Sequence, residues 1–294
     1  MRRGVIDIGT NTVNLLVADV QCGQIVTLMA KDRTTRLGEG VNERGQLLPA
    51  AIARTIQAVN EFQTEAKALG ATDVIALTTS ASRDAANRSE FFDRVLQTCG
   101  LEVKLISGDR EAELIFRGVS SDSAWSGRPI LVMDVGGGSA EFIQGRDGKM
   151  EMFQSLPLGA LRLTEQFGEG RFAELCEHLR ATLRHALARY DFKGRQLIGT
   201  GGTITTLGRI YTAAASPTDA VDHLLLSHQH VKSLLDQLRG LPLAQRRKVP
   251  GLPPERVDII VAGGAVFLIA MEVLGARELA VSVRNLRYGA LVAD

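Results

Sequence analysis

The chain reads as an α/β protein of two domains built on a duplicated mixed β-sheet. Three observations predict it. At 294 residues it is too long for one ordinary domain and fits two. Short apolar runs alternate with amphipathic helical stretches, the pattern of a mostly parallel sheet. A strand, Asp, Gly-turn, strand pattern occurs twice, at VIDIGTNTVNLLVADV (5–20) and LVMDVGGGSAEFIQG (131–145). The repeat puts Asp7 and Asp134 at the head of equivalent hairpins 127 residues apart, as an internal duplication would. Each domain is expected to begin at one hairpin, giving 1–119 and 120–294, with the last helix able to pack back on the first domain.

The first hairpin is followed by a helix over 50–69, where Ile52, Ile56, Val59, Phe62, Ala66 and Leu69 recur at helical spacing between Pro49 and Gly70. DVIALTT (73–79) is a short apolar run of the kind found in buried parallel strands. A helix from about Asn87 is predicted, with Asn87 and Glu90 at capping-box spacing. EVKLI (102–106) reads as a strand, after which Ser107 caps a helix running to about Arg117. SSDSAWSGRP (120–129) has the polar, Gly/Ser-rich composition of a linker. Beyond the second hairpin, helices are expected at about 171–190, 202–212, 227–239 and 255–274, then a strand near 279–283 and a closing helix from about Leu286.

Composition narrows the function classes. Hydrophobic residues make up 45% and charged residues 23%, as in a folded soluble protein. No run approaches the ~18 apolar residues of a membrane span. Asp7, Asn11 and Asn14 interrupt the apolar start, so a mature N-terminus, a cytoplasmic location and no membrane partner are expected. A net charge of +1 argues against a nucleic acid polymer as partner. Cys22, Cys99 and Cys176 are odd in number and form no CxxC, which suggests buried thiols in a reducing compartment. His228 and His230 lie two apart, on different faces of a helix, so no histidine metal site is expected.

Three glycine-bearing elements carry candidate chemistry. Asp7-Ile8-Gly9-Thr10-Asn11-Thr12 forms a turn that can aim backbone N–H groups at phosphate oxygens, although an ordinary hairpin turn accounts for it equally well. In Asp134-Val135-Gly136-Gly137-Gly138-Ser139-Ala140-Glu141, three glycines are costly in a strand unless another group must approach the backbone closely. Asp134 and Glu141 flank that loop, so both carboxylates can face one cleft and hold a hydrated divalent cation, Mg²⁺ or Mn²⁺. Asp7, heading the first hairpin, is a third candidate ligand. LIGTGGTITTLG (197–208) runs from a strand into Gly201-Gly202-Thr203 and a helix, a ready anion site.

The repeated DxG hairpin with a GTGG turn resembles the phosphate grip of the actin-like ATPase superfamily. Within it, TTSASRDAANR (78–88), LISGDREAELI (105–115), DVGGGSAEF and LAVSVRNLRYGALVAD (279–294) resemble the exopolyphosphatase and guanosine pentaphosphate phosphohydrolase family across essentially the whole chain. The resemblance implies a two-domain actin-like, ribonuclease H-like fold with the active site in the interdomain cleft. It also implies metal-dependent release of terminal phosphate from polyphosphate or guanosine pentaphosphate, with Glu111 as the general base for the attacking water. Thr79, Ser80 and Arg83 follow a strand end, where open α/β sheets face their ligands, and Arg83 can grip phosphate bidentately. Glu113, two positions on from Glu111, is expected to be solvated. A homodimer is compatible with the resemblance.

Departures from the pattern are Asn14, where relatives carry Arg or His, Arg110 before Glu111, and Asn285 where glycine is usual. Two other functions stay open: an ATP-dependent sugar or acetate-type kinase of the same fold and, since Asn14 and Asn285 could mark lost activity, a non-catalytic polyphosphate or nucleotide sensor. Gly263-Gly264 suits close helix packing better than a nucleotide base. Arg246-Arg247-Lys248 reads mainly as solvated surface.

Overall fold

The computed structural model describes residues 1–21, 23–190, 192–212 and 221–293. In chain order it contains β1 (Arg2–Ile8), β2 (Thr12–Gln21), β3 (Gln24–Thr34), α1 (Val41–Arg44), α2 (Pro49–Ala68), β4 (Asp73–Thr78), α3 (Ser80–Asp84), α4 (Arg88–Cys99), β5 (Val103–Leu105) and α5 (Gly108–Ser120). Then come β6 (Pro129–Val135), β7 (Ala140–Arg146), β8 (Lys149–Leu156), α6 (Ala160–Phe167), α7 (Phe172–Ala186), β9 (Gln196–Thr200) and α8 (Gly201–Thr212). The chain closes with β10 (Leu225–Ser227), α9 (His228–Arg239), α10 (Leu243–Arg246), α11 (Ile260–Leu274), β11 (Glu278–Val281) and α12 (Leu286–Val292). Two units result: Met1–Asp122 with Leu286–Asp294, and Ser123–Asn285.

In unit 1 the sheet order is β3-β2-β1-β4-β5, with β1–β2–β3 antiparallel and β1, β4 and β5 parallel. Helix α2 starts with Pro49 at its first turn and buries Ile52, Ile56, Val59 and Phe62 in the core against Ile6, Ile8 and Leu15. Helices α5 and α12 pack on each other, and α12 also lies against β1 and β2.

The sheet of unit 2 has the order β10-β11-β9-β6-β7-β8. Read from the other edge, its β8-β7-β6-β9-β11 run repeats the unit 1 order. The register repeats too: Asp7 pairs with Asn14 as Asp134 pairs with Glu141. Gly9 N donates to Thr12 O, and Gly136 N to Ser139 O, each at 3.0 Å. Helix α11 is apolar from Ile260 to Met271 and buried over most of that length, with Glu272 near its end exposed. A methyl at Gly263 would meet Thr203 and Ala160, and one at Gly264 would meet Leu235, so this glycine pair serves packing.

Several local expectations are corrected. The Asn87 side chain does not cap α4; it bonds the amide and carbonyl of Leu47, tying two loops together. The fourth late helix begins at Ile260, preceded by a 3₁₀ turn over Pro254–Arg256. The linker carries a 3₁₀ turn, Ser123–Trp125, with Trp125 buried. Arg246 is 2% exposed because its guanidinium bonds the carbonyls of Leu238, Leu241 and Val257 and the carboxylate of Glu169. Cys176 is buried but Cys99 only half-buried, and Cys22 lies outside the described residues. Glu113 is not merely solvated; it pairs with Arg110 and Arg117, each at 2.7 Å. Among the described residues no helix is long and apolar enough to cross a membrane.

Candidate functional site

In unit 1 the parallel strands β1, β4 and β5 end together at Ile8, Thr78 and Leu105. The segments leaving those ends carry Gly9–Thr12, Thr79–Arg83 and Ser107–Glu111, which is where an open α/β sheet presents its ligand face. Ser107 accepts from the Arg110 amide at 3.2 Å and starts α5, placing Glu111 in its first turn. Glu111 is 7% exposed, and its Oε2 accepts from Arg83 Nη1 at 2.7 Å. The same Nη1 donates to the Ile106 carbonyl at 3.0 Å, which fixes the guanidinium on the β5–α5 connection. Burial pushes the Glu111 carboxyl up, opposed by the Arg83 charge and by hydrogen bonds from Arg83 and Thr79. Arg83 is therefore engaged with the carboxylate expected to act as base, and at least one of its nitrogens is not turned to solvent.

Asp7 lies at the end of β1, accepting from Asn14 Nδ2 at 3.2 Å. Its carboxyl is pushed up to about 6: burial raises it, the Arg287 charge opposes, the Glu111 charge adds, and the Asn14 bond opposes. Arg287, on α12, also donates to Leu15 O at 3.0 Å. The Gly9–Thr12 turn is tight, and Thr10, Asn11 and Thr12 are buried. Asn11 Nδ2 donates to Thr12 Oγ1 at 3.1 Å, while Asn11 Oδ1 is buried without a partner. Ser80 is buried at the start of α3.

Unit 2 groups a second set. Asp134 and Glu141 are cross-strand partners, so their side chains leave the same face of the sheet. Glu141 is buried and accepts from Ser155 Oγ at 2.8 Å. On its other side Asp134 is registered with Thr200, the last residue before α8. Gly201 has φ 86°, and a methyl there would fall 2.2 Å from Asp134 Oδ1, so only glycine lets the helix start close over that carboxylate. A methyl at Gly202 would fall 2.2 Å from Arg256 Nη1. Thr203 faces inward, its hydroxyl donating to Val135 O at 3.2 Å. That bond orients β6 against α8 and uses the hydroxyl proton expected for phosphate.

Sequence reasoning assembled each of these sets from its motifs and missed three arginines. These are Arg256 against Gly202, Arg287 near Asp7, and Arg162, whose Nε donates to Gly138 O at 2.8 Å; Arg287 lies in the closing segment that carries the resemblance, but none of the three was given a role. The register also shows that Asn14 is the counterpart of Glu141, so the first hairpin has one carboxylate where the second has two.

Residues 16–294 match the model of the Ppx/GppA phosphatase family. Exopolyphosphatase 1 of Mycobacterium tuberculosis is 32% identical over 301 residues, covering 99% of this chain and 88% of that protein. Exopolyphosphatase 2 of the same organism is 32% identical over 284 residues, covering 91% and 88%. Among solved structures, the Aquifex aeolicus Ppx/GppA family member superposes with a TM-score of 0.82 at 31% identity, covering 99% of this chain and 96% of that one. An exopolyphosphatase from Cytophaga hutchinsonii gives 0.89 at 29% identity over the same shares. The fold is thus the two-domain actin-like one, with a mixed sheet in each domain. With its repeated glycine hairpins, its buried Glu111 and a family match over nearly its whole length, the chain belongs to the Ppx/GppA phosphatase family.

Proposed function

We propose that the chain hydrolyses the terminal phosphoanhydride of inorganic polyphosphate, of guanosine pentaphosphate, or of both, releasing orthophosphate by attack of water. The observation that carries this reading is Glu111, a buried carboxylate clamped by Arg83 in the first turn of α5. A group so held can take a proton from water as the oxygen attacks phosphorus and the bridging P–O bond breaks. The names of the relatives in Mycobacterium and Cytophaga support polyphosphate as the first substrate to try.

The acids of unit 2 suit a hard divalent cation. Asp134 and Glu141 offer oxygen donors from one face of adjacent strands, and Ser155 holds one oxygen of Glu141 in place. Oxygen-only donors fit Mg²⁺ or Mn²⁺. Bound there, the ion would offset phosphate charge and the charge developing on the leaving oxygen. Asp7, in unit 1, is the weaker candidate ligand, since its neighbour is an amide and its proton is held more tightly. Within unit 2 the amides of Gly136–Ser139 and of Gly201-Gly202, and within unit 1 the Gly9–Thr12 turn and Ser80, each suit phosphate oxygens. Arg83 shares its guanidinium between Glu111 and the substrate. Such a site acts by positioning and electrostatics, which is what phosphoryl transfer needs.

The test is phosphate release from long-chain polyphosphate, tripolyphosphate and guanosine pentaphosphate, with and without Mg²⁺. Metal-dependent release from at least one is expected. Glu111→Gln is expected to lower kcat by roughly two orders of magnitude or more; near-normal turnover in that variant removes Glu111 from the mechanism. ATP-dependent phosphorylation of a sugar or of acetate, without release from any of the three, overturns the hydrolase reading.

A further inference from the structure

The three carbonyls of the Gly136–Gly138 turn are all occupied from one side. Gly136 O accepts from Ala160 N at 2.8 Å, and Gly137 O from Leu161 N and Arg162 N at 3.0 and 3.1 Å. Gly138 O accepts from the Arg162 side chain, Nε, at 2.8 Å. The first amides of α6, normally orphans at a helix start, thus close on the turn. Gly159 makes this approach possible: a methyl there would fall 2.3 Å from the backbone nitrogen of Gly138. In a trans peptide C=O and N–H point in opposite directions. Drawing the carbonyls toward α6 therefore turns the following N–H groups away from it. Among the described residues the amides of Gly137, Gly138 and Ser139 have no acceptor within the protein.

Unit 1 contains the same device made of other residues. Asn11 O accepts from Thr35 N and Arg36 N at 3.0 and 2.9 Å, and Thr10 O from Gly38 N at 2.8 Å. Gly38 again allows the approach, since a methyl there would fall 2.3 Å from Thr10 Cγ2. In both units the backing comes from the segment just after the third strand of the hairpin, β3 in one and β8 in the other. A turn with three glycines would otherwise sample many conformations and lose that freedom on each binding event.

We infer that Arg162 and Gly159 are positioning residues for phosphate binding, holding the Gly136–Ser139 turn with its N–H groups outward before substrate arrives. This inference rests on the hydrolase reading for its ligand, but the order of the turn can be measured without turnover.

The experiment compares the full-length wild type with Arg162→Met and Gly159→Ala. It measures kcat and KM for inorganic tripolyphosphate with Mg²⁺, and, in the free protein, amide hydrogen exchange at residues 160–162, whose N–H groups bond the turn carbonyls. For Arg162→Met, KM is expected to rise about tenfold, as for loss of one charge-assisted hydrogen bond, with kcat nearly unchanged and exchange at 160–162 faster. Gly159→Ala, which removes no group able to touch phosphate, is expected to shift KM and exchange in the same direction. A raised KM in Arg162→Met with unchanged exchange would mean that Arg162 meets the substrate itself, and it overturns the inference. Wild-type KM and exchange in Gly159→Ala overturn it as well. Should Gly159→Ala not fold, the exchange of Arg162→Met decides alone. A wild type that releases no phosphate from any phosphoanhydride defeats the hydrolase reading, while accelerated exchange in Arg162→Met would still uphold the clamp.

Discussion

Two carboxyl groups of unit 1, Glu111 and Asp7, sit where burial pushes their protonation upward, and each feels a nearby arginine that opposes it. For Glu111 the opposing groups are Arg83 and Thr79, and a general base works only when deprotonated. Arg83→Met should therefore move the acidic limb of the kcat/KM profile to higher pH, because the base loses the cation that keeps it charged. An unshifted limb, at whatever reduced rate, would separate Arg83 from Glu111. For Asp7 the consequence falls on stability. Its folded value of about 6 lies above the ordinary 3.8, so the native state holds the proton more tightly. The stability linked to it is present below about pH 4 and lost as pH rises through about 6. Asp7→Asn should then raise the melting midpoint at pH 7.5 by about 3 °C while leaving it little changed at pH 4, at the cost of activity. A midpoint raised equally at both pH values would point to a cause other than ionisation. Asp134 and Glu141 stood out in the sequence by the glycines between them and Glu111 by the family resemblance; Arg162 and Arg256 did not, since an isolated arginine among apolar residues carries no mark of what it will meet.

At the scale of elements, α12 shows how a helix from the chain's end is bound to unit 1. Arg3 Nη1 donates to Leu291 O at 2.9 Å, Tyr288 OH and Thr27 Oγ1 lie 3.0 Å apart, and Gly289 rests on α5. A methyl at Gly289 would fall 1.8 Å from Leu114 O, a backbone atom that cannot step aside. Gly289→Ala is expected to cost more than about 2 kcal/mol, the range of overpacking, read as a lowered denaturant midpoint. A stability within 0.5 kcal/mol of wild type, roughly the spread of neutral surface changes, would mean that α12 shifts freely on α5. Helix α2 and strands β1, β4 and β6 were legible because periodicity and buried apolar runs are local properties. Strand β3 was not foreseen: it is mostly exposed and mixes Thr, Lys, Asp and Arg, so its strand state comes from pairing with β2. Asn87 likewise had the spacing of a cap but found the Leu47 backbone, a partner 40 residues away.

For the molecule as a whole, a ligand that binds only the folded state raises its stability. Saturating Mg²⁺ should raise the melting midpoint of the wild type by several degrees, at about 2–4 °C per kcal/mol of binding for a protein of this size class. Asp134→Asn combined with Glu141→Gln should abolish that rise. An equal rise in the double variant would place the cation elsewhere. The sequence by itself determined the duplication, the strand-end position of the glycine turns and the family, because all three are carried by residue order and short spacings. Tertiary structure alone decided which way the turn amides point and which arginine meets which carboxylate. Those outcomes depend on what occupies each carbonyl and carboxylate, and the occupants come from distant parts of the chain whose meeting only packing brings about.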